Sequence, residues 1–168
     1  MTTLSVSWPK YHALIERLAL LVHDSAWSFN QIICIARGGL RVGDVLSRIY
    51  EVPLAILSTH SYTTEGGTVR GQLVIAEHMT MTASRLGERA LLVDDMVDSG
   101  HTLEAVYRTL PQRFSHITAL RTAVLWYKAH SVFKPDYYVE YLAHNPWIRQ
   151  PFEVYDTLRP QSLKARLA

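Results

Sequence analysis

Leu91-Leu92-Val93-Asp94-Asp95-Met96-Val97-Asp98-Ser99-Gly100-His101-Thr102 is the stretch whose reading decides the fold. An apolar run ends in two adjacent carboxylates. A short turn of small and hydroxyl residues follows, and Leu103, Val106, Tyr107 and Leu110 then recur at helical spacing. The pattern predicts a buried strand, a loop and a helix N-terminus. Open α/β sheets bind ligands at the carboxyl ends of their strands, which puts Asp94 and Asp95 at a binding edge. Loop N–H groups, the unhindered Gly100, the hydroxyls of Ser99 and Thr102 and the helix dipole together make an anion site. Phosphate beside paired acids suggests a phosphorylated sugar, with its hydroxyls or Mg²⁺ on the acids. The competing reading is a plain strand–turn–helix, with Ser99 or Thr102 as N-cap and the acids merely solvated.

Working outward, Gln31–Ala36 is a second short apolar run, followed directly by Arg37-Gly38-Gly39 and by a helical stripe of Val42, Val45, Leu46 and Ile49. This repeats the strand–Gly-loop–helix pattern, with glycines for close backbone approach and Arg37 as a fixed charge. Upstream, Ser7 caps a helix with Pro9 in its first turn and an apolar stripe of Tyr11, Leu14, Ile15, Leu18, Leu21 and Val22. Residues 53–59 predict a strand, and Gly-rich residues 63–71 predict a long loop, either a hairpin connection or a lid. Residues 72–77 predict a returning strand. Residues 79–87 fit neither period and are expected to form a loop or short helix. Further strands are expected at 89–93, 117–126 and 135–141. Lys128, by position alone, is a surface lysine. Two prolines predict an irregular segment over 145–153, in which Trp147 and Phe152 are expected packing anchors, since such a Trp is more often core than ligand platform.

The 168 residues suffice for one domain with a full core, and the 48% apolar and 19% charged composition predicts a globular, soluble chain. A formal charge of +2 without a basic run gives no case for nucleic acid. The single cysteine, Cys34, excludes an internal disulfide and fits a reducing compartment. The Met1 end lacks a leader pattern and no apolar run is long enough to span a bilayer, so the expected location is the cytoplasm, without membrane partners. The histidines have no metal-binding spacing, and there is no P-loop motif.

Residues 93–102 resemble the phosphoribosyl-pyrophosphate (PRPP) motif of the type I phosphoribosyltransferases, with His101 standing where Gly or Lys is usual. Ala36-Arg37-Gly38-Gly39-Leu40 resembles that family's pyrophosphate loop, which can hold a non-proline cis peptide. Ser61-Tyr62 resembles the start of its lid. With Lys128 and Trp147-Ile148-x-x-Pro151, the order is similar to bacterial xanthine-guanine phosphoribosyltransferases and related archaeal purine enzymes, over residues 4–156.

The resemblance implies an α/β fold, a mainly parallel sheet flanked by helices, in one domain (1–168). Its core would cover about 4–142 and a small C-terminal hood about 143–158. It implies transfer of 5-phosphoribose from PRPP to a 6-oxopurine, with Mg²⁺ as cofactor and a homodimer or homotetramer as the assembly. Arg37, Gly38 and Gly39 would hold pyrophosphate, and Asp94 and Asp95 the ribose hydroxyls or the metal. Asp98, Ser99, Gly100, His101 and Thr102 would cradle the 5′-phosphate, and Asp98 would move the purine's proton. Lys128 would bond the 6-oxygen, Trp147 stack on the base, and Ile148 contact it through its backbone. Arg149 stands where the bacterial enzymes have an acid, which leaves open the choice among xanthine, guanine and hypoxanthine. Two alternatives remain: a non-catalytic nucleotide-sensing regulator of the same fold, and a phosphoribosyltransferase for another base.

Overall fold

The computed structural model describes residues 2–61 and 73–167. The lid expected over 63–71 lies outside these residues. The elements, in order, are β1 (Thr3–Ser5), α1 (Trp8–Asp24), β2 (Gln31–Ala36), α2 (Leu40–Tyr50), β3 (Leu54–Ser61), β4 (Leu73–Ile75), β5 (Thr80–Met81), β6 (Arg89–Val93), β7 (Met96–Val97), α3 (His101–Arg113), β8 (Ala119–Lys128), β9 (Tyr137–Leu142), β10 (Trp147–Arg149), α4 (Val154–Thr157) and α5 (Pro160–Leu167).

The central sheet runs β4-β3-β2-β6-β8-β7, with β5 on β3 and β9 on β8. Pairings β2–β3, β2–β6, β6–β8, β7–β8 and β8–β9 are parallel, and among the described residues only β4 and β5 join β3 antiparallel. Such a sheet needs cover on both faces, which is why its strands read as unbroken apolar runs. Strand alternation divides them. Ile32, Leu91, Val93 and Leu125 face a cluster with Leu14, Ile15, Leu18 and Val22 of α1 and Val42 and Leu46 of α2. Ile33, Ile35, Leu92 and Val124 face Leu103, Val106 and Leu110 of α3. Each such buried side chain contributes about 1.5–3 kcal/mol of transfer free energy.

Ser7 caps α1, its hydroxyl accepting from Lys10 N at 3.4 Å, and proline stands in the first turn as expected. Three expectations change. Residues 79–87 contain a two-residue strand, β5, whose Thr80 and Met81 lie across from Ile56 and Ala55. So short a strand has no periodicity to read; it exists because β3 offers an edge. Neither Ser99 nor Thr102 caps α3. The cap is Gly100 in the left-handed region (φ 86), with no side-chain hydrogen bond. The segment 145–153 is not wholly irregular, because Trp147–Arg149 pairs in parallel with Thr3–Ser5. No helix among the described residues is long and apolar enough to cross a membrane.

Candidate functional site

The carboxyl ends of β2 and β6 lie side by side, in register through Cys34 and Val93. The loops leaving them therefore meet. A cleft of about 270 Å³ opens there, lined by Ile35, Ala36, Gly38, Thr59, Asp94–Thr102 without His101, and Leu103. Gly38 lies directly on the acid pair: a Cβ at this position would come within 2.6 Å of Asp95 Oδ1 and 2.9 Å of Asp94 Oδ1. Only glycine lets the loop approach so closely. The Ala36–Arg37 peptide in this loop is cis. Arg37 is exposed and lines an adjoining hollow with Gly38, Arg41, Phe152, Tyr155 and Asp156. Gly39 is the N-cap of α2.

Asp94 Oδ1 accepts from the Asp95 backbone N–H at 2.9 Å, and Asp95 Oδ1 accepts from Met96 N at 2.8 Å. Burial, and then the neighbouring Asp95 charge, push the Asp94 carboxyl well above the ordinary carboxylate range. Two crowded carboxylates at a cleft suit a dication or the hydroxyls of a sugar, either of which would relieve that repulsion. Among the described residues, no group of three or more His, Cys, Asp or Glu is placed to hold a metal. A metal on this pair would therefore draw its remaining ligands from substrate and water, as Mg²⁺ commonly does. Cys34, buried beneath the site, has its thiol pushed up to about 11 by burial and by Asp94, so it is not a nucleophile at neutral pH.

Gly100 turns the loop into α3. A side chain here would be strained by the positive φ, and a Cβ would lie 2.8 Å from Phe133 N. The loop is tied to the segment after β8 by Val132 N–H donating to Ser99 O at 3.0 Å. His101 and Thr102 open α3.

Lys128 departs from the surface position expected of it: it ends β8 and is 3% exposed. It pairs with Leu142 of β9, and the two residues before it, Trp126 and Tyr127, pair with β7 as well. Its Nζ lies 3.3 Å from Asp98 Oδ1. Trp147 also departs from expectation: it is 57% exposed, while Ile148 beside it is buried. Alternation along β10 explains the pair, since Ile148 faces the core and both its neighbours face out. Phe152 is the anchor, edge-on to Tyr11 at 5.7 Å and under the Arg41 guanidinium at 4.0 Å.

Two residues escaped the sequence reading. Gln150 is buried, and its side-chain N–H donates to Asp95 Oδ2, tying the segment after β10 to the acid pair. His130 Nε2 lies 2.8 Å from Asp98 Oδ1. The only signal in the sequence was proximity to a chosen residue, two places after Ile148 and two after Lys128.

A family model described as the phosphoribosyl transferase domain matches residues 6–157. The chain is 29% identical over 162 residues to a xanthine-guanine phosphoribosyltransferase of Gluconobacter oxydans (strain 621H), covering 96% of this chain and 90% of the relative. It is 28% identical to the crystal structure of a purine phosphoribosyltransferase from Pyrococcus horikoshii OT3, with TM-score 0.70 over 90% of this chain and 94% of that one. The Helicobacter pylori xanthine-guanine-hypoxanthine phosphoribosyltransferase shares the fold at 22% identity, with TM-score 0.74 over 97% of each chain. The acid-ended strand, its glycine-turned loop and the second glycine loop lying on the acids all fall within the matched residues, and the chain belongs to the phosphoribosyl transferase domain family.

Proposed function

We propose that the protein is a purine phosphoribosyltransferase, moving 5-phosphoribose from PRPP to a 6-oxopurine with release of pyrophosphate, in purine salvage. The observation that carries this reading is the contact of buried Lys128 with Asp98 at the lip of the acid-lined cleft. It brings a cationic donor suited to a base carbonyl beside a carboxylate suited to a ring proton. The relatives named for xanthine, guanine and other purines support the same substrate class.

In this reading, Asp98, Ser99, Gly100, His101 and Thr102 cradle the 5′-phosphate with backbone N–H groups and hydroxyls. Arg37, Gly38 and Gly39 hold the pyrophosphate, and Asp94 and Asp95 orient the ribose hydroxyls. Mg²⁺ fits the Asp94–Asp95 pair and, when bound, would neutralise charge on the leaving group. Lys128 bonds the 6-oxygen of the base, exposed Trp147 offers it a stacking face, and the Ile148 backbone meets its edge. N9 attacks C1 of the ribose while the C1–O bond breaks with its electron pair passing to pyrophosphate. The proton leaving N7 goes to Asp98, whose carboxylate needs only one open oxygen to take it. The chain acts as one domain, with the segment 143–158 as a hood over the base, in the cytoplasm and as a homodimer or homotetramer.

The test is pyrophosphate release from PRPP with a panel of xanthine, guanine, hypoxanthine, adenine and pyrimidines. Turnover of at least one 6-oxopurine in preference to the others is expected. Turnover of a pyrimidine alone, or of no base, overturns the reading.

A further inference from the structure

Lys128 N–H groups and His130 Nε2 converge on one oxygen, Asp98 Oδ1, at 3.3 and 2.8 Å. This meeting is built by the backbone. Past β8 the chain turns sharply, with Ser131 N–H donating to Lys128 O at 3.1 Å, and Val132 N–H then clamps the turn to Ser99 O at 3.0 Å. His130 sits inside that turn, so the clamp carries its ring to the loop bearing Asp98. Both contacts fall on Oδ1, which leaves Oδ2 for substrate. The two partners differ chemically. A lysine ammonium has three donors on a flexible stem, whereas an imidazole Nε2–H is one donor fixed in the ring plane and so sets the direction of the carboxyl.

We infer that His130 is a positioning residue for proton removal in the transfer reaction: its Nε2–H donates to Asp98 Oδ1 and holds Oδ2 toward the purine. The inference rests on Asp98 being the base in the reaction proposed above. N9 bonds to C1, the C1–O pair leaves with pyrophosphate, and the N7 proton moves to Asp98. The Asp98 side chain is 48% exposed, so the proton passes from it to water, which restores the carboxylate.

The experiment measures the single-turnover rate with PRPP and the accepted purine, and the steady-state KM for each. His130→Phe keeps a ring and removes the donor, whereas His130→Gln keeps an N–H for Asp98. The rate of His130→Phe is expected to fall about tenfold, less than the 10²–10⁴-fold loss typical of removing a general base itself. KM for both substrates should hold, and His130→Gln should recover most of the rate. An unchanged rate in His130→Phe, or a loss that His130→Gln does not recover, overturns the inference. Asp98→Asn run in parallel separates the two readings. If it is crippled while His130→Phe is not, only the role of His130 falls. If it turns over near the parent rate, the base assignment falls and the inference with it.

Discussion

Replacing Lys128 by Met tests whether the buried end of β8 reads the base. Met fills the space of the lysine stem with a flexible apolar chain and removes only the charge. Lys128 is buried, so a purine carbonyl reaching Nζ meets a desolvated cation. A hydrogen bond to a charged group contributes about 1.5–3 kcal/mol, which at about 1.4 kcal/mol per decade is roughly a 10- to 150-fold loss of affinity. The cost to folding should be much smaller. Asp98, the partner of Lys128, has a side chain 48% exposed, so solvent screens the pair to about 1 kcal/mol or less. For a chain of this size that lowers Tm by no more than about 4 °C. Steady-state kinetics with each substrate varied in turn, alongside calorimetric melting, reads all three quantities. The expected result is a KM for the purine raised by that factor, a KM for PRPP near the parent value, and a nearly unchanged Tm. Equal rises in both KM values would refute Lys128 as the base reader. A large fall in Tm would refute the claim that its ion pair is a minor structural contact.

Three further outcomes follow from the loop and the acid pair. Asp94→Asn keeps the acceptor for Asp95 N–H and removes one crowded charge. The folded protein holds the Asp94 proton more tightly than the unfolded chain, so parental stability falls as pH rises above about 4 and onward through the raised folded value. The variant lacks that fall. Urea unfolding in metal-free buffer should find the two alike in acid and the variant more stable at neutral pH, and a gap that does not grow with pH contradicts the argument. Gly100→Ala forces a side chain into the left-handed region against Phe133 N, at a cost of about 1–3 kcal/mol. A Tm lower by at least about 2 °C and weaker PRPP binding are expected, and an unchanged melt contradicts it. PRPP binding followed by calorimetry should weaken markedly when a chelator is present, whereas unchanged affinity removes the metal from the Asp94–Asp95 pair.

The local code of this chain is strong where an element's surroundings are uniform. Residues 91–93, buried on both faces, read as an unbroken apolar run, and α1 announces itself through Ser7, Pro9 and a single stripe. Asp94, Asp95, Gly38 and Gly100 were legible for the same reason: a strand end, a close approach and a left-handed turn each demand a residue type at one position. Tertiary structure decided what depends on elements distant in sequence. β5 exists because β3 has a free edge, and Trp147 faces out because β10 pairs with a strand at the other end of the chain. Lys128 is buried at the end of a strand paired with β9 up to Leu142, although its neighbours in sequence, Tyr127 and Ala129, would suit a surface turn. Gln150 and His130 carry no pattern of their own. They belong to the site because a backbone clamp and a parallel pairing bring them to Asp95 and Asp98, over separations of 55 residues for Gln150 and, for His130, the whole of α3 and β8. Periodicity records which face of an element is dry, whereas the partner it meets there is set by the packing of the whole sheet.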